Sequence, residues 1–341
     1  MINILALETS CDETSVAIVA DGVNVKSLAI SSQIATHAKF FGVVPELASR
    51  AHVENVNLVL LRALNNIGVK FDDFGKSIDA IAFTAGPGLA GALLVGTIVA
   101  KSIASIYKKP IIPVNHLEGH LYSAFLENKL IKPPFLSIII SGGHTELVIV
   151  EDFGKYKILG VTRDDAAGEA FDKAAKMLGL SYPGGPIIDQ RAEKGNPKAV
   201  KFTRPYLRGS WDFSFSGIKT ALLNYLKLNC VKNEKQLNDI CASFRQAIAE
   251  TICFKAFEAV KKFDLKKITL GGGVSANSLI RKMFFEFGRE NRIKIYLPSL
   301  LYCTDNAAMI GCVAYLKQKK CGLVYGLDQL KSNPSLRLES W

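Results

Sequence analysis

The feature that most constrains this chain is a repeat. Ile2 to Leu7 reads as a strand, Glu8-Thr9-Ser10-Cys11-Asp12-Glu13 as a polar turn, and Ser15 to Val19 as a return strand. The second half repeats this: Phe135 to Ile140 is an apolar strand, Ser141-Gly142-Gly143-His144 a turn, and Thr145 to Val150 the return. Thr14-Ser15-Val16-Ala17-Ile18-Val19 lines up with Thr145-Glu146-Leu147-Val148-Ile149-Val150, which points to an internal duplication. Helix-like and strand-like runs then alternate in both halves. The first offers a helix from Glu46 to Asn66, a strand from Ala80 to Thr84, a helix from Leu89 to Ile106 and a strand from Pro110 to Val114. The second offers helices Ala166 to Leu178 and Asn238 to Phe263, a strand Lys267 to Leu270, a helix Ser275 to Asn291, a strand Lys294 to Leu297 and a helix Asn306 to Lys319. An α/β chain of two lobes is the natural outcome, each lobe a mixed sheet covered by helices. Ser181 to Ser210, rich in Pro, Gly and charge, reads as an extended surface excursion.

With 341 residues, 49% of them hydrophobic, the chain can fill two such cores. No window approaches the ~20 unbroken apolar residues of a membrane span; the richest, Leu89 to Ala104, carries glycines and Lys101, so no membrane is expected. Met1 leads straight into an apolar run, without the features of a signal or transit peptide, and a cytoplasmic protein is expected. Seven cysteines without CxxC spacing argue for reduced thiols. A net charge of +11 suits a polyanionic partner, with clusters at Lys261, Lys262, Lys266, Lys267, Lys319 and Lys320, although a Lys-rich proteome would give the same balance.

The sharpest chemical signal is Asn115-His116-Leu117-Glu118-Gly119-His120, two imidazoles four apart at the start of a helix and so on one face of it. A zinc protease would need its glutamate directly after the first histidine. Glu118 comes one residue later and swings away from His116, while Asn115 and Glu118 have the spacing of a capping pair. A third ligand is offered by Asp305 in Cys303-Thr304-Asp305-Asn306, which could equally be a helix N-cap. Two histidines and a carboxylate suit Fe(2+), Zn or Mn. Three glycine turns, Thr84 to Gly88, Ser141 to His144 and Leu270 to Asn277, suggest a nucleotide site, yet neither a P-loop nor a Rossmann fingerprint is present.

Over nearly the whole length, the motifs ETSCDETSVAIV, GVVPELASR, TAGPGLAGALLVG, NHLEGH, SGGHTEL, DDAAGEAFDKAAKMLGLSYPGGP, DFSFSGIKT, GGGVSAN and CTDNAAMI are, in order, similar to those of the bacterial TsaD family. The resemblance implies the actin, Hsp70 and sugar-kinase type of fold, two duplicated lobes around a nucleotide cleft. It places the first lobe at about 1–114 and the second at 115–319, with an insertion near 181–235 and a last helix, about 320–341, that could pack back on the first lobe. The implied activity is an acyltransferase of tRNA modification, moving a threonylcarbamoyl group from L-threonylcarbamoyladenylate to N6 of adenosine 37 in tRNAs that read ANN codons, with AMP released. The metal ligands implied are His116, His120 and Asp305, holding one divalent ion, Fe(2+) first and Zn(2+) second. Donor contacts are implied at Ile139, Ile140, Ser141, Gly142, Gly143, Asp172, Gly185, Asp189 and Asn277. Implied partners are the tRNA anticodon loop, a smaller TsaB-like paralogue forming a heterodimer, and a TsaE-like ATPase. Because an adenine amine is a weak nucleophile that must shed a proton, Asp12 or Glu13 is the hypothesised base. Phe41 stands where the family commonly has glycine. The alternatives are an ATPase or kinase of the same fold, a metalloprotease, which the placement of Glu118 disfavours, and a non-catalytic scaffold.

Overall fold

The computed structural model describes residues 1–207, 209–322, 326 and 330–341. The chain forms two compact units, one of Met1–Ile131, Phe153–Lys155 and Pro298–Trp341, the other of Lys132–Asp152 and Tyr156–Leu297.

The first unit is built on strands β1 (Asn3–Glu8), β2 (Glu13–Ala20), β3 (Asn24–Ser32), β4 (Ala80–Gly86) and β5 (Ile111–Asn115), in the order β3-β2-β1-β4-β5. β1 pairs antiparallel with β2, with Leu5 opposite Ile18, and parallel with β4. Central strands covered on both faces read as unbroken apolar runs, which is why β1, β2 and β4 were legible. The edge strand β3 mixes buried and exposed positions and escaped that test. Helices α1 (Pro45–Asn65) and α2 (Ala90–Tyr107) pack against this sheet and each other. α2 is long and apolar enough to cross a membrane. Its buried residues, Ala92, Leu93, Gly96, Thr97, Ala100, Ile103 and Ala104, nevertheless form one stripe at helical spacing, which marks a helix packed on a core.

The second unit repeats the plan. Strands β6 (Phe135–Ile140), β7 (Thr145–Asp152), β8 (Lys155–Val161), β9 (Lys267–Gly271) and β10 (Lys294–Tyr296) lie in the order β10-β9-β6-β7-β8. Read from β8, this is the arrangement of the first sheet, with an antiparallel hairpin and then strands added in parallel, so the duplicated α/β fold is present. Its core lies among β6, β7, β9 and the helices α4 (Ala167–Met177), α5 (Gly184–Ala192), α6 (Ser216–Leu228), α7 (Glu234–Lys262) and α8 (Ser278–Asn291).

Three expectations need correction. The helix α3 (His116–Tyr122) and the helix α9 (Ala307–Cys321), both assigned by sequence to the second lobe, belong to the first unit, because α9 packs on β1, β2, β5 and α3. Gly184–Ala192 within the supposed extended excursion is helical, with Pro186 tolerated in its first turn, where an amide has no helical partner to lose. Of the last helix expected near 320–341, residues 323–325 and 327–329 lie outside the described ones; α9 stops at Cys321 and residues 330–341 run without helix.

Candidate metal centre and donor site

In the first unit α3 opens at Asn115, whose side chain accepts the Leu117 amide, and the 3.6-residue turn then puts His116 and His120 side by side, ring centroids 4.6 Å apart. Asp305, just ahead of α9, brings Oδ1 to 3.3 Å from His120 Nε2 and 3.7 Å from His116 Nε2. The three ligand atoms lie within 4.8 Å of one another. His120 is fully buried; among the described residues its Nδ1 has no hydrogen-bond partner and its Nε2 has only the approach of Asp305. A buried imidazole left in that state is costly unless something else takes its lone pair. Two neutral-capable imidazoles and a carboxylate that keeps some exposure fit a divalent cation.

A residue that sequence reasoning missed sits behind His116. Glu8, wholly buried at the end of β1, accepts from His116 Nδ1 at 3.0 Å, from Thr84 Oγ1 at 2.7 Å and from the Ser10 amide at 2.6 Å. Burial alone would raise the Glu8 pKa, but the charge and hydrogen bond of His116 outweigh it and hold the carboxyl below its ordinary range. For His116 burial pulls downward, yet Asp305 and Glu8 lift it to about 9. Glu8 thereby keeps the proton on Nδ1 and turns Nε2 toward His120 and Asp305, the carboxylate–histidine pairing typical of metal sites.

The acidic turn of the first hairpin is fixed from α1. His52 is buried; its Nε2 donates to the Cys11 carbonyl at 2.9 Å and its Nδ1 accepts the Thr14 hydroxyl at 2.7 Å. The Gln33 amide donates to the Asp12 carbonyl at 3.0 Å. Burial, then the negative charges of Asp12 and Asp305, push Glu13 well above the carboxylate range. Both acids of this turn, Asp12 and Glu13, stay candidates for the base. Phe41 adopts φ 57°, a left-handed conformation that glycine takes at less cost.

The Glu118 carboxylate meets Lys317 Nζ at 2.8 Å and the Trp341 indole N–H, and it is 1% exposed. A group so engaged cannot serve as the base of a protease.

In the second unit the remaining candidates gather at the carboxyl ends of β6 and β9, the usual ligand end of such sheets. Gly142 and Gly143 are exposed, with no atom within 4 Å of where a Cβ would stand, so a ligand can reach their backbone. Ile139 pairs with Gly271, which sets Ser141 beside the glycine run, and the Gly168 amide at the start of α4 donates to the Ser141 carbonyl at 3.1 Å. Ile140 faces the core. Asp172 accepts the Gly184 amide at 2.7 Å and so pins the turn that presents Gly185. Asn277 caps α8 by accepting the Ile280 amide, and Asp189 joins it there, accepting the Ser278 amide at 2.9 Å and Arg245 at 2.8 Å.

Glu146, next to the glycine turn, was also missed; the only sign was one acid in an apolar return strand. Its Oε2 is buried without a hydrogen-bond partner among the described residues, and burial raises its pKa to about 7 from an ordinary 4.5. A carboxyl held protonated only when folded loses stability as pH climbs from 4.5 toward 7. Glu146→Gln is expected to stabilise the protein at pH 8 by on the order of 3 kcal/mol and to make no difference below pH 4.5, checked by urea denaturation at both pH values.

The family model described as TsaD, tRNA N6-adenosine threonylcarbamoyltransferase, matches residues 24–312. A protein of Endomicrobium trichonymphae with that name is 75% identical over 339 residues, 99% of either chain. One from Clostridioides difficile (strain 630) with the same name is 52% identical over 91% of either chain. Among solved structures, HypF of T. kodakarensis matches with a TM-score of 0.64 at 14% identity, over 93% of this chain and 48% of that one. Component A of the Acidaminococcus fermentans (R)-2-hydroxyglutaryl-CoA dehydratase matches at 0.54 and 16% identity, over 94% of this chain and 100% of that one. At such identities the two structures speak for the fold alone.

Proposed function

The chain belongs to the TsaD family, the tRNA N6-adenosine threonylcarbamoyltransferases, and on that premise we propose that it moves the threonylcarbamoyl group of L-threonylcarbamoyladenylate to N6 of adenosine 37 in tRNAs reading ANN codons. The observation that carries the reading is the triangle of buried His116 and His120 with Asp305, and Glu8 behind it. Those three residues would hold one divalent ion, Fe(2+) by preference and Zn(2+) as the substitute. Such an ion supplies positive charge for the carbonyl and phosphate oxygens of an acyl donor.

The donor is assigned to the second unit. Exposed backbone at Gly142 and Gly143, with half-buried Gly185 in the turn that Asp172 pins, would admit a phosphate, with Ile139, Ile140, Ser141, Asp172, Asp189 and Asn277 shaping the surround. The reaction needs little activation, because the carbamoyl carbon is already joined to AMP in a mixed anhydride. N6 forms a bond to that carbon, the bond from carbon to the phosphate oxygen breaks, and AMP leaves with the electron pair. The N6 proton passes to a carboxylate, for which Asp12 and Glu13 are the candidates. Positioning accounts for most of the remainder.

The partners proposed are a TsaB-like paralogue and a TsaE-like ATPase, acting in the cytoplasm. Val53, Leu58 and Leu61 on α1 and Leu94 and Ile98 on α2 are exposed, an apolar surface suited to a protein contact and assigned to the paralogue.

The test combines purified chain, both partners, threonylcarbamoyladenylate and unmodified tRNA, followed by mass spectrometry of the nucleosides. Threonylcarbamoyladenosine is expected, with a lower yield when the TsaB-like protein is left out. No product from a folded, metal-loaded mixture would overturn the reading.

A further inference from the structure

Residues 330–341 run along the first unit as a strap. Leu330 and Leu338 are buried, the Asn333 amide donates to the Ala85 carbonyl at 2.7 Å, and the Gly88 amide donates to the Pro334 carbonyl at 3.2 Å. Two glycines make room for it. A Cβ on Gly86 would lie 1.9 Å from the Asn333 carbonyl oxygen, and one on Gly154, at φ +72°, would lie 2.5 Å from the Trp341 ring. The strap then grips the metal helix twice. Asn115 Nδ2 donates to the Arg337 carbonyl at 2.7 Å, and the Trp341 indole N–H donates to Glu118. Trp341 is itself held by its amide on the Gly154 carbonyl at 2.9 Å and by Lys317 and Lys320 at 5.5 and 6.0 Å from its ring.

His116 lies between the two gripped residues. The helix that carries it has seven residues, too few to be stable by itself, so its geometry is set by what it is tied to. Glu118 adds a reason for strength. A carboxylate 1% exposed is tolerable only while its charge is matched, and Lys317 and Trp341 are the partners that match it. The motif that suggested a protease thus keeps its glutamate for a different task.

We propose that Trp341, acting through Glu118, is a positioning residue of the metal centre, and that docking of the strap sets how tightly His116, His120 and Asp305 hold their cation. The inference rests on the metal reading above, and the test separates the two. Mn(2+) is titrated into the full chain, with the free ion followed by electron paramagnetic resonance, for wild type, Trp341→Ala and Trp341→Phe. Thermal unfolding of each is recorded without metal. Trp341→Ala is expected to weaken Mn(2+) binding about tenfold, as loss of an outer partner of a metal ligand does. Trp341→Phe keeps the ring over the two lysines but loses the N–H, and should fall between wild type and alanine in Mn(2+) affinity, by more than its own loss of metal-free melting temperature explains. If the alanine variant does not fold, the phenylalanine variant decides. Equal affinities for wild type and folded variants would overturn this inference alone, and a wild type that takes up no Mn(2+) would overturn the metal reading with it.

Discussion

His120→Ala is expected to empty the metal centre and lower threonylcarbamoyl transfer by about a hundredfold or more. The side chain is fully buried and, among the described residues, its Nδ1 bonds to nothing, so of polar contacts within the protein alanine removes only the 3.3 Å approach of Nε2 to Asp305. What it removes is one of three ligands, leaving His116 and Asp305, whose facing atoms are 3.7 Å apart. Two ligands do not make a tight site for a divalent ion. The fold should survive, at a cost of about 1–3 kcal/mol for the space left behind. Metal content after gel filtration and product formation with tRNA should fall together. Full metal occupancy in the variant would show that the ion sits elsewhere.

The second large effect is expected at a residue that touches no ligand of the reaction. Glu8→Gln keeps the shape of the side chain but supplies one acceptor oxygen where three donors converge, from Ser10, Thr84 and His116. Its amide must then point N–H at N–H or O–H, a buried mismatch of about 1–3 kcal/mol. His116 would also lose the partner that keeps its proton on Nδ1. Metal affinity should drop by about 10- to 100-fold, more than the change in stability explains. Heteronuclear NMR of the His116 ring would read the change directly as a shift of the proton between nitrogens. An unchanged tautomer with unchanged affinity would show that the ring is held by its packing.

Both effects concern a site that was partly legible in the sequence. The spacing of His116 and His120 was enough to draw them together, because one helical turn leaves no choice. Asp305 was offered by its place ahead of a helix, and its ligand role by resemblance. Glu8 was not legible: an acid closing an apolar strand does not announce a partner 108 positions on. The partners of Glu118, Lys317 and Trp341, were hidden for the same reason, the second being 223 positions away. The repeat of hairpins was visible because β1, β2, β6 and β7 are buried on both faces and read as apolar runs. β3 and β8, with exposed residues along their length, carried no such signal. The helix Gly184–Ala192 was hidden by its own start, where two glycines and a proline look like a loop.

The placement of α9 bears on how the protein is made. This late helix lies on the first strands of the chain, and the Ala307 amide bonds the Ser15 hydroxyl across 292 positions. A ribosome adding about 5–20 residues per second releases Glu8, His116 and His120 on the order of ten seconds or more before Asp305 emerges. Until then the nascent first sheet lacks its covering helix and the histidines lack their carboxylate. A divalent ion met before Asp305 has emerged finds an unfinished set of ligands, so loading belongs after that point, and a chain terminated ahead of Asp305 gains no stable ion.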